Sequence, residues 1–102
     1  MDELVSVHTE RDLARVRLVI TGGVQGVGYR AWAVGQAARL ALRGWIRNRA
    51  DGAVESEFAG DPDAVARFRD LLSQGPHAAR VERVREEAAG VEELPQPFRT
   101  VW

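Results

Sequence analysis

Apolar and polar residues alternate over Arg15–Ile20, placing Val16, Leu18 and Ile20 on one face, as a half-buried strand requires. The period then changes. From Tyr29 onward, Tyr29, Ala33, Ala37 and Leu40 fall on one helical stripe, flanked by Gly35, which costs up to ~1 kcal/mol against alanine inside a helix. This predicts a helix running to about Leu40. Arg43–Asn48 reads as a strand and Ala53–Ala59 as its partner, with Val54 and Phe58 on one face. The Asp51-Gly52 pair between them is a hairpin signal, so the two strands are expected to be antiparallel neighbours. Gly60-Asp61-Pro62 opens a second helix: Asp61 can cap free N–H groups, and Pro62 suits the first helical position. Val65, Phe68 and Leu72 form its buried stripe, and Gly75-Pro76 stops it. Arg80–Glu87 is a charged strand whose valines at 81 and 84 break period two, which predicts a bulge or an edge position. Phe98–Trp102 reads as a last short strand.

Strand, helix, strand, strand, helix, strand, with one strand added at the end, is the split βαβ ferredoxin-like pattern. The expected fold class is α+β, an antiparallel sheet of four to five strands with two helices on one face. Residues 14–102 are assigned to a single domain and residues 1–13 to a loose extension. A chain of 102 residues can bury one core without staples.

Charge narrows the partners. Lys plus Arg total 14 against 15 Asp plus Glu, a net charge of −1, which gives no footprint for gripping a nucleic-acid backbone. The absence of cysteine excludes disulfides, thiolate catalysis and thiolate metal sites, and no apolar run approaches the ~20 residues that span a bilayer. The Met1-Asp2-Glu3-Leu4 start lacks the basic and apolar regions of a secretory signal, so a cytoplasmic location is expected. A monomer with no nucleic-acid or membrane partner is also expected.

The candidate chemistry lies between the first strand and the first helix, in Thr21-Gly22-Gly23-Val24-Gln25-Gly26-Val27-Gly28-Tyr29-Arg30. Glycines there permit backbone angles that let amide N–H groups converge on an anion, and the helix that follows adds the positive end of its dipole. Arg30 supplies a planar cation that can bond two oxyanion oxygens. Phosphate is therefore the first ligand to consider. Two other phosphate motifs fail on their partner residues. Gly26-Val27-Gly28-Tyr29-Arg30-Ala31 mimics a dinucleotide fingerprint, but Asn48 stands where the ribose-binding acid belongs, and the Asp51-Gly52 hairpin contradicts repeated parallel units. Gly23 and Gly28 have nucleotide-triphosphate-loop spacing, but Tyr29-Arg30 replaces the required Lys and Ser or Thr. Taken alone, the glycines would equally serve a tight turn beside a solvated Arg30, and Asn48 would serve as a turn residue.

Gly22 to Arg30 and, further on, Gly44-Trp45-Ile46-Arg47-Asn48 with Asp51-Gly52 resemble the two signature blocks of the acylphosphatases, in order and at similar spacing. The likeness runs from about Arg15 to Trp102 and leaves out the first thirteen residues and Ala88–Pro97. The resemblance implies a hydrolase that cleaves the carboxyl–phosphate bond of a small acyl phosphate, with no metal, no cofactor and no covalent intermediate. By motif, Arg30 and the amides of Val24, Gln25, Gly26, Val27, Gly28 and Tyr29 would hold the phosphoryl group, and Asn48 would position the attacking water. The alternative is a non-catalytic ferredoxin-like module that binds an anion or small ligand. An RNA-binding module of similar topology would need exposed aromatics on its central strands, and the first strand has none.

The remaining residues read as structure. His8 and His77 are expected at the surface, and Trp32, Trp45 and Trp102 in the core. Arg47 and Arg49 read as solvated hairpin cations, with steering of an anionic substrate as a minor role. Asp51, Glu55 and Glu57 read as a solvated face rather than a metal site. Two positions depart from the family pattern. Gly23 replaces a larger side chain, often arginine, and Ala41 stands where glycine is common, so a positive φ there would carry a local cost. The resemblance extends to N-terminal domains of larger hydrogenase-maturation proteins, but this chain lacks the cysteine pairs of their zinc modules, and a stand-alone enzyme is expected.

Overall fold

Val16, Leu18 and Ile20 are buried together in the first strand, β1 (Ala14–Gly23). The computed structural model describes residues 14–102; the extension expected over residues 1–13 lies outside them. β1 is longer than its alternation indicates, because the glycines at 22 and 23 continue it rather than ending it. They pair with β4 (Arg80–Glu87), and a Cβ on Gly22 would lie 2.2 Å from the Arg80 carbonyl oxygen, so this glycine serves strand approach and not the loop.

The first helix, α1 (Tyr29–Arg39), buries Tyr29, Ala33 and Ala37, and the two alanines present small side chains to the core. It ends in a Schellman motif: the Ala41 N–H donates to the Ala38 carbonyl and the Leu42 N–H to that of Ala37, both at 3.1 Å. Ala41 occupies the left-handed position of that motif at φ 56°, the strained conformation its sequence position foreshadowed.

β2 (Arg43–Asn48) and β3 (Val54–Gly60) form the expected antiparallel hairpin, paired from Arg43↔Ala59 to Asn48↔Val54. The second helix, α2 (Pro62–Gln74), starts where Asp61 accepts hydrogen bonds from the N–H groups of Asp63 and Ala64, and it buries Val65, Phe68 and Leu72. The sheet order is β4-β1-β3-β2, with a last strand beyond β2, so β4 is an edge strand. Its register against β1 shifts between Thr21 and Gly22, leaving Glu82 without a partner residue. That bulge puts both Val81 and Val84 against the core, although they lie three residues apart.

The final strand, β5 (Arg99–Thr100), pairs in parallel with β2, so the sheet is mixed and the all-antiparallel expectation is corrected at this edge. The crossover from β4 through residues 88–98 lets β5 run alongside β2 instead of against it. The α+β ferredoxin-like class is unchanged. Both helices contribute to one core with Leu18, Ile20, Ile46 and Phe58, in which Phe68 meets Phe58 and Phe98 edge to face at 4.8 and 5.4 Å.

The opposite sheet face departs most from expectation. Glu55 and Glu57 are buried, not solvated. Glu57 takes the Arg15 Nε at 2.6 Å, the Arg17 Nε at 2.7 Å and the Gly90 N–H at 2.8 Å, while Glu55 takes Arg47 at 2.7 Å. Alternation alone cannot separate a wet face from one covered by arginine stems and a returning segment. Trp45 belongs to this face and not to the core, with the guanidinium carbons of Arg17 and Arg47 at 5.5 and 5.8 Å from its ring centre. Trp32 does pack against the core, whereas Trp102 is exposed. His77 is at the surface as expected, and His8 lies outside the described residues.

Candidate active site

Residues 24–28 connect β1 to α1 as a loop whose last residue, Gly28, is the helix N-cap at φ 78°, ψ 16°. A glycine there accepts the left-handed backbone but brings no capping side chain, and the first turn of α1 carries no acid. The start of α2 is the contrast, closed by Asp61 and followed by Asp63. The loop N–H groups of residues 24–28 donate to no acceptor among the described residues. A group of free amides at the positive end of a helix is suited to an oxyanion.

Arg30 stands in the first turn of α1, and its side chain lines the same cavity as Gly26 and Gly28. Its Nη1 is buried without a hydrogen-bond partner among the described residues. Leaving a buried charged donor unsatisfied is costly, by more than the ~1–3 kcal/mol of a neutral group, so the guanidinium edge is a group that an anion would satisfy. The cavity, of about 270 Å³, is also lined by Asn48. The exposed Asn48 side chain has no hydrogen-bond partner among the described residues, leaving its amide free both to donate and to accept.

A single side chain holds the two halves of the site in register. Gln25 Nε2 donates to the carbonyl oxygens of Arg49 and Ala53 at 2.9 and 2.8 Å, tying the loop to the hairpin turn that begins just after Asn48. Of the residues singled out from the sequence, Val24, Gly26, Gly28, Tyr29, Arg30 and Asn48 line the cavity. Gln25 and Val27 do not: the first braces the hairpin and the second packs against the core. The Tyr29 ring is buried, with its hydroxyl donating to the Leu72 carbonyl at 2.6 Å, and burial pushes the phenol well above its ordinary pKa. Only its backbone is available to a ligand.

Thr100 and Trp102 also line the cavity and escaped the sequence reading, since only the parallel seating of β5 beside β2 brings them there. The two hairpin arginines are already engaged. Arg47 pairs with Glu55, and Arg49 with Asp51, whose carboxyl is held below its usual range by the Ala53 N–H and the Arg49 guanidinium. No cluster of three or more metal-ligating side chains occurs among the described residues, and no described helix is long and apolar enough to cross a membrane.

Comparison with known proteins points to one family. The acylphosphatase family model matches residues 16–100. A protein of Bradyrhizobium diazoefficiens named acylphosphatase is 51% identical over 81 residues, covering 79% of this chain and 82% of that one. The solved acylphosphatase from Coxiella burnetii superposes with a TM-score of 0.81 at 30% identity, over 92% of this chain and 96% of that one. The solved acylphosphatase from Bacillus subtilis gives 0.78 at 29% identity, over 86% and 98%. In sequence as in fold the likeness runs along nearly the whole described chain, and this protein belongs to the acylphosphatase family.

Proposed function

We propose that the chain hydrolyses acyl phosphates in this cavity, with Arg30 and the loop amides of residues 24–29 holding the phosphoryl group and Asn48 orienting the attacking water. The observation that carries the reading is the buried Arg30 Nη1, which has no hydrogen-bond partner among the described residues, beside a helix start with no side-chain cap. Water attacks phosphorus in line with the acyl oxygen, the P–O bond to the acyl group breaks, and its electron pair leaves with the carboxylate. The dianion RCO–OPO₃²⁻ and water thus give RCOO⁻ and H₂PO₄⁻, with one water proton passing to a phosphoryl oxygen. A carboxylate is a good leaving group and phosphoryl transfer asks mainly for placement and charge stabilisation, so the residues present suffice without a general base. Amides and a guanidinium fixed before the reaction stabilise the equatorial oxygens as charge develops, with no reorganisation at the barrier. The chain is read as a monomer acting on a small molecule, a reading supported by a cavity lined wholly by residues of one chain.

Hydrolysis of benzoyl phosphate in ¹⁸O-labelled water, with excess chelator, tests the reaction. Mass spectrometry is expected to find the label in inorganic phosphate, and label in the benzoate would refute attack at phosphorus.

A further inference from the structure

We propose that Trp102 is a specificity-determining residue whose indole forms a platform for planar aromatic acyl groups; the inference rests on the acyl-phosphate reading above. Trp102 is 93% exposed, so this large apolar side chain contributes almost nothing to the core. It is nonetheless placed. The Val101 N–H donates to the Ile46 carbonyl at 2.9 Å, and Thr100 pairs with Ile46, so the sheet carries the chain to the cavity wall just before Trp102. There the Arg30 guanidinium carbon lies 4.5 Å from the indole centre.

Arg30 therefore presents two different surfaces. Its guanidinium carbon lies over the indole ring, while the buried Nη1 is left for an oxyanion. A phosphoryl group held by that nitrogen and by the amides around Gly26 and Gly28 leaves its acyl substituent to extend along the rest of the wall, where Thr100 and Trp102 stand. Acetyl is too small to cover an indole, whereas a benzoyl ring can stack on it, and an aromatic pair of this kind is worth about 2- to 13-fold in affinity.

The test compares kcat/KM for benzoyl phosphate and acetyl phosphate in the parent, Trp102→Ala, Trp102→Leu and Trp102→Phe, with thermal unfolding checking that each variant folds. The benzoyl-to-acetyl ratio is expected to fall about 2- to 10-fold in Trp102→Ala and Trp102→Leu and to be largely kept in Trp102→Phe. Leucine retains bulk without a π face, so it separates stacking from simple filling. An unchanged ratio overturns the inference. An equal loss on both substrates does so as well, since Trp102 would then act only by steadying Arg30. A folded parent inert toward both substrates overturns the acyl-phosphate reading itself, and this inference with it.

Discussion

Gln25 is bound to Ala53: its side-chain amide donates to that carbonyl at 2.8 Å and, from the same nitrogen, to that of Arg49 at 2.9 Å. One glutamine thereby ties the glycine loop to the turn that follows Asn48. Gln25→Leu is expected to cost about 1–2 kcal/mol in thermal or denaturant unfolding, because both carbonyls lose a donor. Steady-state kinetics is expected to show kcat falling on the order of tenfold with KM changed less, since a small misplacement of an orienting group acts on the barrier. A change in stability alone would make Gln25 purely structural.

Asn48 makes no hydrogen bond to a described side chain and lines the cavity from the hairpin side, opposite the loop's own donors. Asn48→Ala is expected to lower kcat about 10²-fold or more, while inhibition by inorganic phosphate stays near the parental value. Phosphate inhibition weakened in proportion to the rate would place Asn48 in anion binding instead.

On the far face of the sheet, Glu57 joins Arg15, Arg17 and the Gly90 N–H. Burial alone would raise its pKa, but the two guanidinium bonds and the Gly90 N–H together hold it below the ordinary glutamate value of 4.5. A carboxyl depressed in the native state stabilises the fold fully above its unfolded value and loses that contribution as pH falls through the native one. Stability is therefore expected to decline below about pH 4.5, and Glu57→Gln to flatten that decline. At neutral pH the same variant is expected to cost about 2–4 kcal/mol, toward the low end of a broken buried pair because the arginines keep partial solvent contact. Thermal unfolding of both proteins from pH 7 down to pH 3 checks the two statements together.

Ala41 takes the left-handed position of the α1 cap at φ 56°. Glycine relieves the Cβ strain but adds unfolded-chain entropy, leaving a net gain of about 0.5–1 kcal/mol for Ala41→Gly. Denaturant unfolding measures it, with kcat/KM expected to be unchanged because the residue lies far along the chain from the loop and lines no part of the cavity.

Elements governed by local pattern were legible in the chain. The Asp51-Gly52 turn and the Asp61-Pro62 cap predict their hairpin and helix directly, and the awkward spacing of Val81 and Val84 discloses a bulge at an edge strand. Elements set by long-range seating were not. Parallel pairing of β5, burial of Glu55 and Glu57, and the exposed placement of Trp102 beside the Arg30 guanidinium depend on where the segment after β4 crosses, which no local period encodes. Gly22 looks like a loop glycine in the sequence, yet its need is the close approach of the Arg80 carbonyl. The shared place of Arg30 and Asn48 on the cavity wall was readable through paired sequence blocks, whereas Gln25 gave no sign that its side chain faces the hairpin and not the cavity.

The central claim is that the Arg30 edge grips the phosphoryl group, and kcat/KM for benzoyl phosphate in Arg30→Gln, measured with excess chelator beside a thermal unfolding curve, tests it most directly. Loss of one preorganised donor costs about 10²–10³ in rate, and loss of a charged one is expected to cost at least that. The unfolding midpoint is expected to hold or rise, because the variant removes a buried cationic donor whose Nη1 has no hydrogen-bond partner among the described residues. A folded Arg30→Gln that keeps kcat/KM within about tenfold of the parent, well short of that loss, would contradict the account.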